Sequence, residues 1–283
     1  MHIRPTLILL FSMLLFSCGS RAQKPITVFD FGPAGFHQSK LTHELREVSG
    51  LTVTDAGHLL AHDDEKGVIY RIDPMNGKLL SRFHLGRTNV HEDFEDIAAV
   101  GEYLYLVTSD GRLFYFREGG NDERVDYNVL ATSLSRKNNV EGLAYDRDAN
   151  ALLLACKDSP GPGFPGKRAV YSFYLTAQRF DPIPRFLIEE KSLKGYIEGK
   201  HFKPSAIARH PLRFTWFILA SDGRSLVELD GAGRILGLQR LDPVRHPQPE
   251  GLAFLPNGDM LISDEEKKVG TLTVYFYREE KRE

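Results

Sequence analysis

The stretch Val140-Glu-Gly-Leu-Ala144 returns almost unchanged as Pro249-Glu-Gly-Leu-Ala253. Three weaker relatives complete the set: Val48-Ser-Gly-Leu51, Phe94-Glu-Asp-Ile-Ala98 and Pro204-Ser-Ala-Ile207. From Ser49 through Glu95, Glu141 and Ser205 to Glu250 the spacings are 46, 46, 64 and 45 residues. A period near 45 is that of a propeller blade, one four-stranded antiparallel sheet per repeat.

Working outward from each copy, the same order of elements recurs. An apolar run ending in Asp follows: Leu59 to Asp63, Leu104 to Asp110, Leu152 to Asp158, Phe217 to Asp222 and Met260 to Asp264. Turn chemistry separates the two runs, as in Asp55-Ala-Gly57 and Pro256-Asn-Gly258. Third strands are expected at Val68 to Ile72, Leu113 to Phe116, Ala169 to Tyr174, Ser225 to Leu229 and Thr271 to Tyr277. Fourth strands are expected at Leu79 to Leu85, around Tyr127 to Leu130, at Arg185 to Glu189 and at Ile235 to Leu241. After Tyr277 only a charged tail remains, so the last repeat lacks a fourth strand and presents an unpaired edge. The alternating run Ile26 to Phe31 is the candidate to close it. The expected fold is all-β: a propeller of five four-stranded blades closed by an N-terminal strand. A six-bladed ring with one degenerate blade inside the 64-residue repeat is the alternative.

The N-terminus reads differently. Arg4 precedes an apolar run from Thr6 to Phe16, too short to span a bilayer but suited to a secretory signal. It ends in Leu15-Phe16-Ser17-Cys18, which resembles a bacterial lipobox, although Phe16 replaces the usual small residue. That resemblance implies a signal peptide over 1–17, lipidation of Cys18, a tether over 18–25 and a single domain over 26–283 on the outside of a membrane. Several acyl chains would give stable anchoring. The only other cysteine, Cys156, lies in an apolar run and is expected in the core. A formal charge of −2 gives no reason to expect nucleic acid as a partner. The expected partners are the membrane, through the lipid, and a small molecule or envelope protein; the chain is expected to act as a monomer.

In a propeller the first strand of each blade lines the central channel. The recurrent first residues Ser49, Glu95, Glu141, Ser205 and Glu250 would then converge on one axis. Three carboxylates that close repel unless they are protonated, kept apart by water or neutralised by a cation. Calcium is the expected cation, with Glu95, Glu141 and Glu250 as ligands, because it accepts oxygen donors in irregular geometry. The plainer reading is a repeated structural motif whose carboxylates accept backbone hydrogen bonds; catalytic carboxylates are a third. Asp63, Asp264 and Glu265 stand in clusters that depart from the other repeats, His62-Asp-Asp-Glu65 and Ser263-Asp-Glu265, and are further candidates for channel or ligand contact. His246 and the pair Asn138-Asn139 lie in connecting segments close to the motif, and Trp216 opens an apolar strand. No metalloprotease, P-loop, dinucleotide or nucleophile-elbow motif is present in the sequence.

The ordered set of strand starts, with Ser263-Asp-Glu265 in the last repeat, resembles the SdiA-regulated family of bacterial envelope propellers over about residues 42–277. The resemblance implies a propeller in the cell envelope and no particular reaction. Gluconolactonase-like and paraoxonase-like propellers, which hold calcium on channel carboxylates, supply the enzyme alternative: a calcium-dependent lactonase or phosphoesterase.

Overall fold

The computed structural model describes residues 24–199, 201–266 and 268–279. Cys18 and the signal segment lie outside the described residues. Strand β1 (Phe36–Lys40) precedes a 3₁₀ turn at His43–Leu45. The first blade is β2 (Val48–Val53), β3 (Leu59–Asp63), β4 (Val68–Ile72) and β5 (Leu79–Leu85). The second is β6 (Phe94–Val100), β7 (Tyr103–Thr108), β8 (Leu113–Arg117) and, after the short β9 (Arg124–Val125) laid along β5, β10 (Tyr127–Leu130). The third is β11 (Val140–Asp146), β12 (Ala151–Cys156), β13 (Lys167–Tyr174), a two-residue β14 (Arg179–Phe180) and β15 (Phe186–Glu189). The fourth is β16 (Lys203–Arg209), β17 (Trp216–Asp222), β18 (Ser225–Leu229) and β19 (Ile235–Arg240). The fifth is β20 (Pro249–Phe254), β21 (Met260–Asp264) and β22 (Thr271–Tyr275), completed by β1.

Five sheets in a ring settle the blade number. The 64-residue repeat holds one blade; its extra length lies in the β12–β13 connection and in the segment after β15, which begins with a 3₁₀ turn at Glu190–Leu193. The ring is closed by an N-terminal strand, but not by Ile26 to Phe31. Phe36–Lys40 pairs antiparallel with β22, Phe36 opposite Tyr275 and Lys40 opposite Thr271. Ile26 to Phe31 instead runs over the seam between the fourth and fifth blades. It makes isolated bridges, Pro25 to Leu238 and Phe29 to Tyr277. Ile26, Val28 and Phe29 are buried there with Phe217, Leu226 and Phe254. Apolar alternation correctly marked Ile26 to Phe31 as buried, but burial between blades leaves only one rung of pairing. The closing strand Phe-His-Gln-Ser-Lys is polar because one of its faces meets water.

Each seam between neighbouring blades holds its own apolar cluster. Trp216 and Cys156 are both core residues, as the sequence indicated. Burying side chains of this kind stabilises the fold by roughly 1.5–3 kcal/mol each. The five first strands β2, β6, β11, β16 and β20 pack against one another around the axis. They all begin on one face, termed upper, and end on the other, termed lower.

Candidate functional site at the upper channel mouth

Every first strand carries the same irregularity at its start. The register with its partner shifts between Val48 and Leu51, Phe94 and Asp96, Val140 and Gly142, Pro204 and Ala206, and Pro249 and Gly251. The residue passed over is Ser49 (with Gly50), Glu95, Glu141, Ser205 or Glu250. A β-bulge leaves its extra residue unpaired and re-aims the side chain. These five bulges therefore single out the recurrent residues at the head of the channel, while the residue after each turns towards the neighbouring blade. That next position is Gly, Asp, Gly, Ala or Gly for a steric reason. A Cβ on Gly142 would meet Ala206 and Ile207 of the next first strand at 3.0 Å.

The one large residue there, Asp96, is fully buried and does not enter the channel. Its carboxylate accepts hydrogen bonds from its neighbour's Ile97 N–H (2.8 Å) and from Leu143 N–H of the third blade (2.7 Å). Burial raises its pKa well above the carboxylate range. A Cβ on Gly50 would lie 2.5 Å from His62 Nε2 and 2.6 Å from Asp96 Oδ1, so the first blade gives up a side chain to make room for these two groups. Burial holds the imidazole of His62 down to about 4.

The three glutamates are brought together around a lysine. Lys157, the first residue beyond β12, places Nζ 2.8 Å from both carboxylate oxygens of Glu141. Asn139 Nδ2 donates to Glu141 Oε1 at 2.9 Å, so the amide contributes its N–H and not its oxygen. Glu141 is buried and Lys157 three-quarters covered. Burial, with Glu141 and Asp93 nearby, pushes the Glu95 carboxyl up to about 9 against the pull of Lys157. Burial and Glu141 push Glu250 up to about 8. Lys157 itself is raised: the attraction of Glu141, Glu250 and Glu95 outweighs its burial. Burial raises the Glu141 carboxyl as well, against the pull of Lys157, so the site gathers three carboxyl groups of raised pKa around one ammonium.

An acidic rim surrounds the cluster. Glu265 accepts a hydrogen bond from Gln248 Nε2 and has its pKa raised by burial and by Glu47. Asp64 is pushed up to about 6 by burial and by Glu47, Asp63, Glu65 and Glu265.

Among the other residues expected here, Ser49 stays half-buried at the mouth, whereas the Ser205 hydroxyl is spent donating to Pro249 O (2.8 Å), a tie between the fourth and fifth blades. Asp63 and Asp264 end second strands and are buried, one strand out from the channel. Asp63 accepts from Glu65 N–H and Lys66 N–H, closing the turn that follows it. Asp264 does something else. It lies 2.7 Å from His246 Nδ1, and His246 Nε2 is 2.7 Å from the Tyr275 hydroxyl. His246 is fully buried, so this connecting segment is anchored into the fifth blade.

The channel's lower end has the opposite character. A cavity of about 390 Å³ is lined there by the ends of all five first strands, with Phe214, Arg147 and Arg209 at its rim. The carboxyl groups that raise one another's pKa lie instead at the upper mouth. Arg147 pairs with Asp55 (3.1 Å), and Arg209 reaches Asp148 while lying over the Trp216 ring at 5.5 Å.

The same architecture is known elsewhere. The chain is similar in structure to a glutaminyl cyclase from Myxococcus xanthus, with a TM-score of 0.57 and 12% identity over 87% of this chain and 97% of that one. It is also similar to a luciferin-regenerating enzyme, with a TM-score of 0.55 and 10% identity over 85% and 95% of the two chains. At these identities the likeness speaks for the fold alone. No protein-family model and no curated protein sequence matches the chain.

The fit of a metal ion can be judged from the donors. Among the described residues no group of three or more His, Cys, Asp or Glu is arranged to hold one. Both Glu141 oxygens are taken by Lys157 Nζ, which stands where the shared cation of the three glutamates was expected. As arranged, the mouth is built around an ammonium and does not fit calcium. Lys157 has no counterpart in the repeat pattern, which is why the sequence did not point to it.

Proposed function

We propose that this chain is a lipid-anchored envelope propeller that binds a small amine-bearing ligand at its upper channel mouth. One observation carries the binding role: Lys157 embedded against Glu141 beside Glu95 and Glu250. Three carboxyl groups share one ammonium, so the mouth has unused capacity for positive charge. In the free protein, protons on Glu95 and Glu250 meet it. An incoming ammonium would be drawn by Glu47, Asp64 and Glu265, displace a proton and receive charge-assisted hydrogen bonds. Calcium, the ion the carboxylates suggest, would compete with Lys157 for the same position. The lipobox and the ordered family motifs support the envelope location.

Thermal-shift and calorimetric screening would test the ligand class, using small primary amines and their N-acetylated counterparts. The amines are expected to raise Tm and release protons, and Glu95→Gln with Glu250→Gln to abolish both effects. Equal binding of the acetylated compounds would overturn the reading. Fractionation of cells producing the chain and its Cys18→Ala variant tests the anchor: the variant should leave the membrane fraction.

A second reading rests on the same protonation pattern. Carboxyl groups held protonated at neutral pH beside an ionised carboxylate are an acid and base pair in waiting. In this reading Glu95 or Glu250 protonates a leaving group and Glu141 accepts a proton from water. Lactone and phosphate-ester hydrolysis by the protein and its Glu141→Gln variant tests it; no turnover by either removes it.

A further inference from the structure

The lower face carries two neighbouring exposed apolar side chains that the core does not use. Leu212 is 51% and Phe214 64% exposed, both in the β16–β17 connection, and Ile183 is 73% exposed in the connection before β15. The β16–β17 connection lies on the lower face, since Trp216 at the start of β17 pairs with Arg209 at the end of β16, whereas Ile183 stands on the outer edge of the third blade, between Asp181, bonded to Ser172, and Arg185, bonded to Val170. Arg147, Arg209 and Arg213 stand near the β16–β17 connection, paired with Asp55, Asp148 and Glu228. The upper mouth, by contrast, is ringed with carboxylates, and its one strongly exposed apolar residue, Val244, is isolated.

The start of the described chain points the same way. Lys24 O accepts from Leu238 N–H at 3.0 Å, and Pro25 pairs parallel with Leu238. Strand β19 runs from Ile235, opposite Leu229 at the lower end, to Arg240, opposite Ser225 at the upper end. A segment parallel to it has its N-terminal end turned to the lower face. Cys18 and Lys24 are six Cα–Cα steps apart. Fully extended they reach about 20 Å, so a lipid on Cys18 would hold the body of the protein against the bilayer.

We propose that the lower face is a membrane-apposed surface, with Leu212 and Phe214 seated at the headgroup boundary and the acidic mouth facing away. This rests on the lipid-anchor reading for its cause but is tested separately from it. Amphipathic contact of this kind adds to an anchor and fixes orientation.

The experiment is hydrogen exchange, with and without vesicles of phosphatidylethanolamine and phosphatidylglycerol, on two preparations. One is the protein purified from membranes; the other is the chain from Cys18 onward coupled through that thiol to a maleimide lipid, Cys156 being fully buried. Segments 146–150 and 210–215 should exchange several-fold more slowly on vesicles, and 86–93 and 242–248 should not change. Leu212→Asp with Phe214→Asp should remove the protection while the protein stays attached. Protection of the upper segments, or of neither set, overturns the orientation. An unmodified Cys18 mass in the membrane preparation overturns the anchor reading instead, and the coupled preparation still reports the orientation.

Discussion

Lys157 Nζ sits 2.8 Å from both oxygens of the Glu141 carboxylate, inside a ring of channel residues that would otherwise hold three like charges. Replacing Lys157 by Met leaves Glu141 buried without its counter-charge. Removing one partner of a buried pair costs about 3–5 kcal/mol, and the pair's partial exposure puts the expected loss at the lower end. Urea unfolding of Lys157→Met, Glu141→Gln and the double variant should show strong coupling, the double variant being more stable than Lys157→Met alone. Additive losses would mean that the pair is not a unit.

The raised carboxyl groups make stability depend on pH. Glu95 and Glu250 bind protons in the folded chain up to about 9 and about 8, against 4.5 for an ordinary glutamate. The folded state therefore holds more protons than the unfolded one across this interval, and stability falls as pH rises. The contribution is complete below 4.5 and is lost by about pH 9. His62 and His210, both held down to about 4, act oppositely: their contribution is complete above 6.5 and lost as pH falls through 4. Between pH 6.5 and 9 the histidines are already neutral in both states and the raised carboxyl groups dominate, so Tm should decline there. Glu95→Gln with Glu250→Gln should flatten the decline; an unchanged slope would count against the shifts.

The chain Asp264–His246–Tyr275 anchors the segment that leads into the fifth blade. His246→Ala strands a buried carboxyl group and should cost about 3–5 kcal/mol in urea unfolding. Tyr275→Phe removes the hydroxyl that meets His246 Nε2 and Arg245 Nη1 and should cost about 1–2 kcal/mol. Near-equal losses would show that the two contacts do not differ in kind.

Phe29 tests the seam. Its ring packs against Phe217, Phe254, His210 and Tyr277 at 6.1–6.3 Å between centroids. Phe29→Ala should cost about 3–5 kcal/mol. A loss below 1 kcal/mol would make Ile26 to Phe31 a passive strap, with closure resting on Phe36–Lys40 alone.

The propeller was legible in the sequence because each blade repeats both its apolar pattern and its strand starts, and the recurrent glutamates and serines do mark the head of the channel. What was hidden depended on contacts between blades. Burial of Ile26 to Phe31 looked like strand pairing, since alternation reports burial and not the partner. Lys157 had no repeat to reveal it. His246 looked like a loop residue because its partners, Asp264 and Tyr275, are 18 and 29 residues away. Asp63 and Asp264 stood out from the other turn aspartates by their acidic neighbours, but they end second strands and so lie one strand out from the axis.

A calcium thermal-shift titration of the protein and its Lys157→Met variant tests most directly whether Lys157 is the built-in cation of the mouth. The protein should show no change in Tm with millimolar calcium, while the variant, its glutamates freed, should be stabilised, by about 2.7 kcal/mol when calcium reaches a hundred times its Kd. Stabilisation of the unaltered protein by calcium to the same extent, or no response from the variant, would contradict the account.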